Sequence, residues 1–398
     1  MRPRQLDLYA AETIGAYGYE EKPWYLPGQR LNAFLEALEA AGLTERVQFV
    51  EADAASDDDL QLFHTAAHVA SVRRRCATNS GSLDEVHPRV HRDVLQLLRA
   101  VGEDPDSAER RVQSDLAPSM SFGAYTAWLT DLGLLDEPLG LTRRGADWVR
   151  SGGGPLGGPT LARKGVERAA TWMMGAVIDA TRRILAGDTT MAFVPIAGFH
   201  HAHREEARMY CLYNDPATAI RLALDHQPGP VAYIDIDIHQ GDGVYGAFAT
   251  EPRVVLVDLH EDWSTLFPFT PEAPGPGPFP GRPEDRGRGD GRGNKHNIPL
   301  SPDTTDDELL AVWDDVEQHL RAARPAFIVF EAGVDGLGGD PMSHQRITPA
   351  AIQHIAARVR ALAEDHAQGR LLVLGGGGYA LQTLSEGWVA VVRGLLGE

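Results

Sequence analysis

Hydrophobic positions along this chain fall into two alternating patterns. Leu31, Phe34, Leu35, Leu38 and Leu43 recur at helical spacing in LNAFLEALEAAGL, which Gly42 closes. VQFVEA then reads as a strand, so the segment to Arg75 predicts strand, helix and strand. DDDLQLFHTAAHVASVRRR opens on acidic residues and ends on basic ones, a charge order that suits one continuous helix. After Pro159 helix and strand repeat. GVERAATWMMGAVIDATRRIL, DPATAIRLALDHQ, DDELLAVWDDVEQHLRAA and PAAIQHIAARVRALAEDH predict helices. MAFVPIAG, PVAYIDIDI, RVVLVDLH, PAFIVFEAG and RLLVLGGGG predict strands. Strands this apolar are covered on both faces, as in a mostly parallel sheet between helical layers, so an α/β fold is expected.

Residues 77–154 break the pattern. TNSGS and EDPDS are linker-like, VHRDVLQLLRAV and GAYTAWLTDLGLL predict amphipathic helices, and LGLTRRGADWV predicts a small hairpin or wing. GGGPLGG closes the stretch as a flexible connection. It reads as a small, mainly helical insert, winged-helix-like in outline, within a single α/β domain spanning residues 1–398.

In parallel sheets ligands bind at the carboxyl ends of strands. The unusual polar residues fall there. GFHH follows one predicted strand, DIDIHQGD ends a second, EAGVD a third and GGGGY a fourth. Asp235, Asp237 and His239 alternate, which on a strand puts them on one face. Two carboxylates and an imidazole suit zinc; the rival reading, a buried ion pair, leaves three ionisable groups on an apolar strand at high desolvation cost. Asp335 offers a third ligand, although Asp-Gly turns are common in themselves. His200 and His201 can move a proton near neutral pH, with Asp235 and Asp242 as orienting carboxylates. Tyr379 follows four glycines that allow close approach to a ligand, and its phenol can donate to an oxyanion. No GKS or GKT follows them, which argues against a phosphate-binding P-loop. Together these parts describe metal-assisted hydrolysis of an amide.

The 398 residues carry 43% hydrophobic positions, enough for a sizeable core, and a formal net charge of −19, which disfavours a nucleic-acid partner. The two cysteines, Cys76 and Cys211, form no disulfide framework or CxxC pair. No apolar run is long enough for a membrane span and the N-terminus lacks a signal-peptide pattern, so a cytoplasmic protein is expected.

GFHHAHREEARMYCLYND, VAYIDIDIHQGDGVYGAF, EAGVDGLGGDPM and LGGGGY, in this order, resemble histone deacetylases and acetylpolyamine amidohydrolases. The resemblance covers residues 1–75 and 159–398. It implies an arginase-like α/β fold and one catalytic zinc held by Asp237, His239 and Asp335. It also implies paired catalytic histidines, His200 and His201, backed by Asp235 and Asp242, with His201 as general base and Tyr379 as oxyanion donor. Tyr210, Phe267 and Met342 would line an acyl-lysine tunnel, and Arg30 would lie near an internal channel. A potassium site is implied near Asp235, Asp237 and Leu259.

Several positions depart from the family pattern. GGGPLGGPT lacks the rim aspartate usual in lysine-binding members, and the insert lies just before it. Arg208, beside Tyr210, either places a cation by the tunnel, favouring an anionic substrate, or turns away to a surface acid. Asp258 stands by the implied potassium site in place of a serine-like residue. The partners expected are an acetylated small molecule or, as the alternative, an acetyl-lysine protein; a homo-oligomer stays open. A two-manganese ureohydrolase or a non-catalytic binding module fits the residues less well.

Overall fold

The computed structural model describes residues 6–10, 27–78, 135–136, 140–141, 166–208, 211–262, 265–266 and 281–398. Eight strands form one sheet: β1 (Leu6–Tyr9), β2 (Val47–Val50), β5 (Met191–Val194), β6 (Val231–Asp235), β7 (Val254–Glu261), β8 (Lys295–Leu300), β9 (Phe327–Glu331) and β10 (Leu371–Leu374). Their order is β2-β1-β5-β10-β9-β6-β7-β8, and every neighbouring pair is parallel. The expected mostly parallel sheet is therefore parallel throughout its described length.

Alternation along the strands builds the two faces. Ala232 and Ile234 of β6, Ile328 and Phe330 of β9, and Leu371 and Val373 of β10 enter one core cluster. Val231 and Tyr233, Phe327 and Val329, and Leu372 and Leu374 enter the other. The first face meets helices Pro27–Ala40, Asp306–Ala323, Pro349–His366 and Leu381–Leu396, with Phe34, Trp313 and Trp388 fully buried. The second meets Val166–Ala186, Asp215–His226 and Asp242–Phe248. This is the helix–sheet–helix sandwich that apolar strands demand.

Helix starts follow local chemistry. Asn214 caps Asp215–His226 by accepting from Ala217 N–H, with Pro216 in the first turn. Thr305 and Glu308 form a capping box at Asp306–Ala323.

The fold departs from the sequence pattern in four places. The acidic stretch is two helices, Asp57–Leu60 and Ala66–Thr78, not one. The break falls where His64 turns inward to accept from Asn214 N–H at 2.8 Å, while Thr65 N–H donates to Arg204 O at 3.2 Å. Helices Asp242–Phe248 and Leu381–Leu396 and strand β8 were not marked by the pattern. Of the insert at 77–154, the structure describes a two-stranded antiparallel pair, β3 (Leu135–Asp136) and β4 (Gly140–Leu141), and the end of helix Ala66–Thr78; its predicted helices lie outside the described residues.

Candidate active site

The carboxyl ends of β5, β10, β9 and β6, four adjacent strands, converge on one place. The loop after β5 carries His200 and His201, the loop after β6 Asp237 to Asp242, the loop after β9 Asp335, and the loop after β10 Gly375 to Tyr379.

Strand β6 ends at Asp235, so Asp237 and His239 are not strand neighbours of it. Ile236 N–H still bonds to Glu331 O, but Asp235 Oδ1 then accepts from Asp237 N–H and the chain turns. The expectation of one shared strand face is corrected accordingly. Asp235 goes to His200, whereas Asp237 and His239 meet Asp335. These last three offer ligand atoms within 4.8 Å of one another, and all are buried. His239 Nδ1 lies 2.8 Å from Asp335 Oδ2 and 3.3 Å from Asp237 Oδ1. Burial would lower the His239 pKa, but the charges of Asp335 and Asp237 and their hydrogen bonds raise it to about 10. Burial likewise works to raise Asp237, yet His200, His239 and the Gly377 amide hold it below the usual carboxylate range. Burial and Asp237 raise Asp335 in turn, so the two carboxylates are more easily held together with positive charge between them, and Nδ1 is the imidazole atom that faces both.

Glycine makes the cluster reachable. Gly376 and Gly378 adopt φ of 62° and 136°. A Cβ on Gly377 would stand 2.1 Å from Asp335 Oδ2, so only glycine lets this loop close over the carboxylates. Arg30 Nη2 holds the loop from below by donating to Gly376 O at 2.6 Å, its guanidinium 5.0 Å from the Trp388 ring centroid.

The two histidines sit beside this cluster. His200 Nδ1 is 2.9 Å from Asp235 Oδ2, His201 Nδ1 is 2.7 Å from Asp242 Oδ1, and the two Nε2 atoms are 3.2 Å apart. With each Nδ1–H donated to a carboxylate, an Nε2–Nε2 contact needs one further proton. Burial lowers both rings. For His200, Asp235 and Asp237 outweigh it and raise the pKa well above the usual value. For His201, burial and the neighbouring His200 prevail over Asp242 and lower the pKa to about 4. The surroundings thus favour the charged form at His200 and the neutral form at His201, whose Nε2 is the nitrogen left to accept a proton.

Tyr379 stands beside the cluster, its ring centroid 6.3 Å from that of His239. Its amide donates to Asp340 Oδ2 at 2.7 Å, and Met342 N–H donates to Asp340 Oδ1 at 2.9 Å. One carboxylate therefore fixes both the candidate oxyanion donor and the candidate tunnel residue.

Arg208 pairs with a buried acid, not a surface one. It turns inward, and Nη1 donates to Asp242 Oδ2 at 2.8 Å in a nearly buried ion pair. Asp258 commits one oxygen to Gly241 N–H at 3.0 Å and the other to His260 Nδ1 at 2.7 Å. Tyr210 and Phe267 lie outside the described residues.

Sequence reasoning did not single out Asp340, His203, Tyr233 or Glu331. Tyr233 donates to Asp235 Oδ2 at 2.6 Å, a contact its two-residue spacing along β6 could have suggested. Glu331 pairs with Asp235 in the sheet register, fully buried, with neither carboxylate oxygen hydrogen-bonded. Burial first, and Asp235 second, push its pKa well above the usual value.

Fold and site together define an α/β protein with a buried carboxylate–histidine centre at the carboxyl edge of a parallel sheet. The chain belongs to the histone deacetylase domain family, whose model matches residues 26–395. It is 31% identical over 229 residues to acetoin utilization protein AcuC of Bacillus subtilis, covering 57% of each chain. It is 31% identical over 236 residues to histone deacetylase 8 of Danio rerio, covering 59% of this chain and 58% of that one. These matches span less than two thirds of either relative's length. The crystal structure of the HDA15 HD domain shares the fold, with a TM-score of 0.69 at 23% identity over 99% of this chain and 88% of that one. No helix among the described residues is long and apolar enough to cross a membrane.

Proposed function

We propose that this chain is a zinc-dependent amide hydrolase that removes an acetyl or related acyl group from the amine of a small molecule. The observation that carries this reading is the buried Asp237–His239–Asp335 cluster with the His200–His201 pair and Tyr379 both beside it. Two carboxylate oxygens and one imidazole nitrogen form a donor set that zinc accepts, and three protein ligands leave a position open for catalysis. When bound, zinc supplies Lewis acidity that polarises the amide carbonyl and acidifies a water.

The chain's own residues do the rest. Neutral His201, oriented by Asp242, takes the proton of the attacking water. His200, kept cationic by Asp235 and Asp237, stabilises negative charge, and the histidine pair returns a proton to the leaving amine. The Tyr379 phenol donates to the carbonyl oxygen as it gains charge. The potassium ion implied near Asp235, Asp237 and Leu259 plays no part in this reading. Residues 77–154 are taken as an insert that rebuilds the substrate rim, with Met342, Tyr210 and Phe267 lining the approach. A cytoplasmic location belongs to the same reading.

Likeness to proteins named histone deacetylase keeps acetyl-lysine proteins as a second substrate class. The test is acetate release by the zinc-loaded chain from N-acetylated amino acids and amino sugars, acetylpolyamines and acetyl-lysine peptides. Release from small substrates alone supports the reading, release from peptides favours the second class, and release from none overturns both.

A further inference from the structure

Arg208 has no part in the chemistry above, yet it is tied directly to it. Its side chain is 11% exposed, and Nη1 lies 2.8 Å from Asp242 Oδ2 and 2.8 Å from His203 Nε2. A guanidinium can only donate, so Arg208 Nη1 serves Asp242 Oδ2 and, where His203 Nε2 holds its lone pair, that nitrogen as well. His203 Nε2 lies farther from Asp242 Oδ2, at 3.3 Å, so the Arg208 N–H at 2.8 Å is the nearer donor to that oxygen. Asp242 thus divides its oxygens, Oδ1 to His201 Nδ1 at 2.7 Å and Oδ2 to Arg208. The Arg208 backbone is itself fixed by two bonds with Cys211, each 2.9 Å. Without the guanidinium, Oδ2 would lose its charged donor and keep only the longer His203 contact, and rotation of the freed carboxylate would carry Oδ1 away from His201.

We propose that Arg208 is a positioning residue: it locks the Asp242 carboxylate, and through it the His201 ring, in the orientation that proton transfer needs. The inference rests on the hydrolase reading. A guanidinium committed to Asp242 does not select anionic substrates, so its loss acts on turnover rather than on substrate binding.

The experiment compares Arg208→Met and Arg208→Lys with the parent chain, all full-length and zinc-loaded. The Met variant should lose kcat on the order of 10- to 100-fold, with KM held within about twofold for neutral and carboxylate-bearing acetyl substrates alike. The Lys variant, which still donates to Oδ2, should recover part of the loss. In 15N-histidine NMR spectra the hydrogen-bonded Nδ1–H signal of His201 should be slow to exchange in the parent chain and lost or fast in the Met variant. Arg208→Gln is read in the same way if the Met chain does not fold. A KM that rises selectively for carboxylate-bearing substrates with kcat kept would overturn the proposal, as would unchanged kcat together with an unchanged His201 signal. If the parent chain hydrolyses nothing, the hydrolase reading fails, and the NMR comparison alone still decides whether Arg208 locks His201.

Discussion

Gly377 donates its amide to Asp237 Oδ2 at 2.6 Å, across 140 residues of sequence. The bond forms only because nothing projects from the Gly377 Cα; a methyl group there would overlap Asp335 Oδ2. Gly377→Ala should therefore push the two carboxylates apart. Zinc affinity, measured by competition with a chromophoric chelator, should fall by about 10- to 100-fold, the usual effect of losing a partner of a ligand. Unchanged affinity would mean that the loop does not close on the ligands.

Asp335→Asn and Asp237→Asn remove a charged oxygen donor each. Both variants should emerge from zinc loading and desalting with well under one equivalent of metal by elemental analysis. Full occupancy in either would refute the ligand set.

Tyr379→Phe deletes one oxygen, while the backbone stays anchored to Asp340 through the Tyr379 amide. The variant should keep its zinc and lose kcat on the order of 10²- to 10³-fold. Turnover near that of the parent chain would remove the phenol from the mechanism.

His64 gives a pH prediction away from the metal cluster. Burial first, with the neighbouring His68 charge adding to it, lowers its pKa to about 3. The neutral ring is satisfied on both sides, by Asn214 N–H at Nε2 and by Arg204 O at Nδ1. Between pH 6.5 and about 3 the unfolded chain binds a proton here that the folded chain refuses, so folded stability falls as pH drops through that window. The stability of the parent chain relative to His64→Gln, from urea unfolding, should decline by about 1.4 kcal/mol per pH unit below 6.5. A pH-independent difference would show that His64 titrates normally in the fold.

Much of this was legible in the sequence because the central strands are buried on both faces and read as unbroken apolar runs. The polar residues that end those runs then mark one edge of one sheet, and His200, His201, Asp237, His239, Asp335 and Tyr379 do converge there. What escaped depends on contacts between remote segments. Strand β8, KHNIPL, is an edge strand beside β7 alone, with a proline in it and little apolar patterning. It buries Lys295 by donating the ammonium to Glu251 O and Val254 O, which no local pattern signals. The helix break at His64 answers to Asn214 and Arg204, some 140 residues away or more. Arg208 was visible as an oddity, but its destination was not, because Asp242 reaches it only through the fold.

Arg73 and Glu167 form an ion pair with Nε 3.1 Å from Oε1, in helices that pack together. In sequence, residues 77–154 lie between these two helices, which the ion pair holds side by side. Flanked in this way, the intervening segment is free to change in length between descendants of this chain while the frame keeps every strand in register.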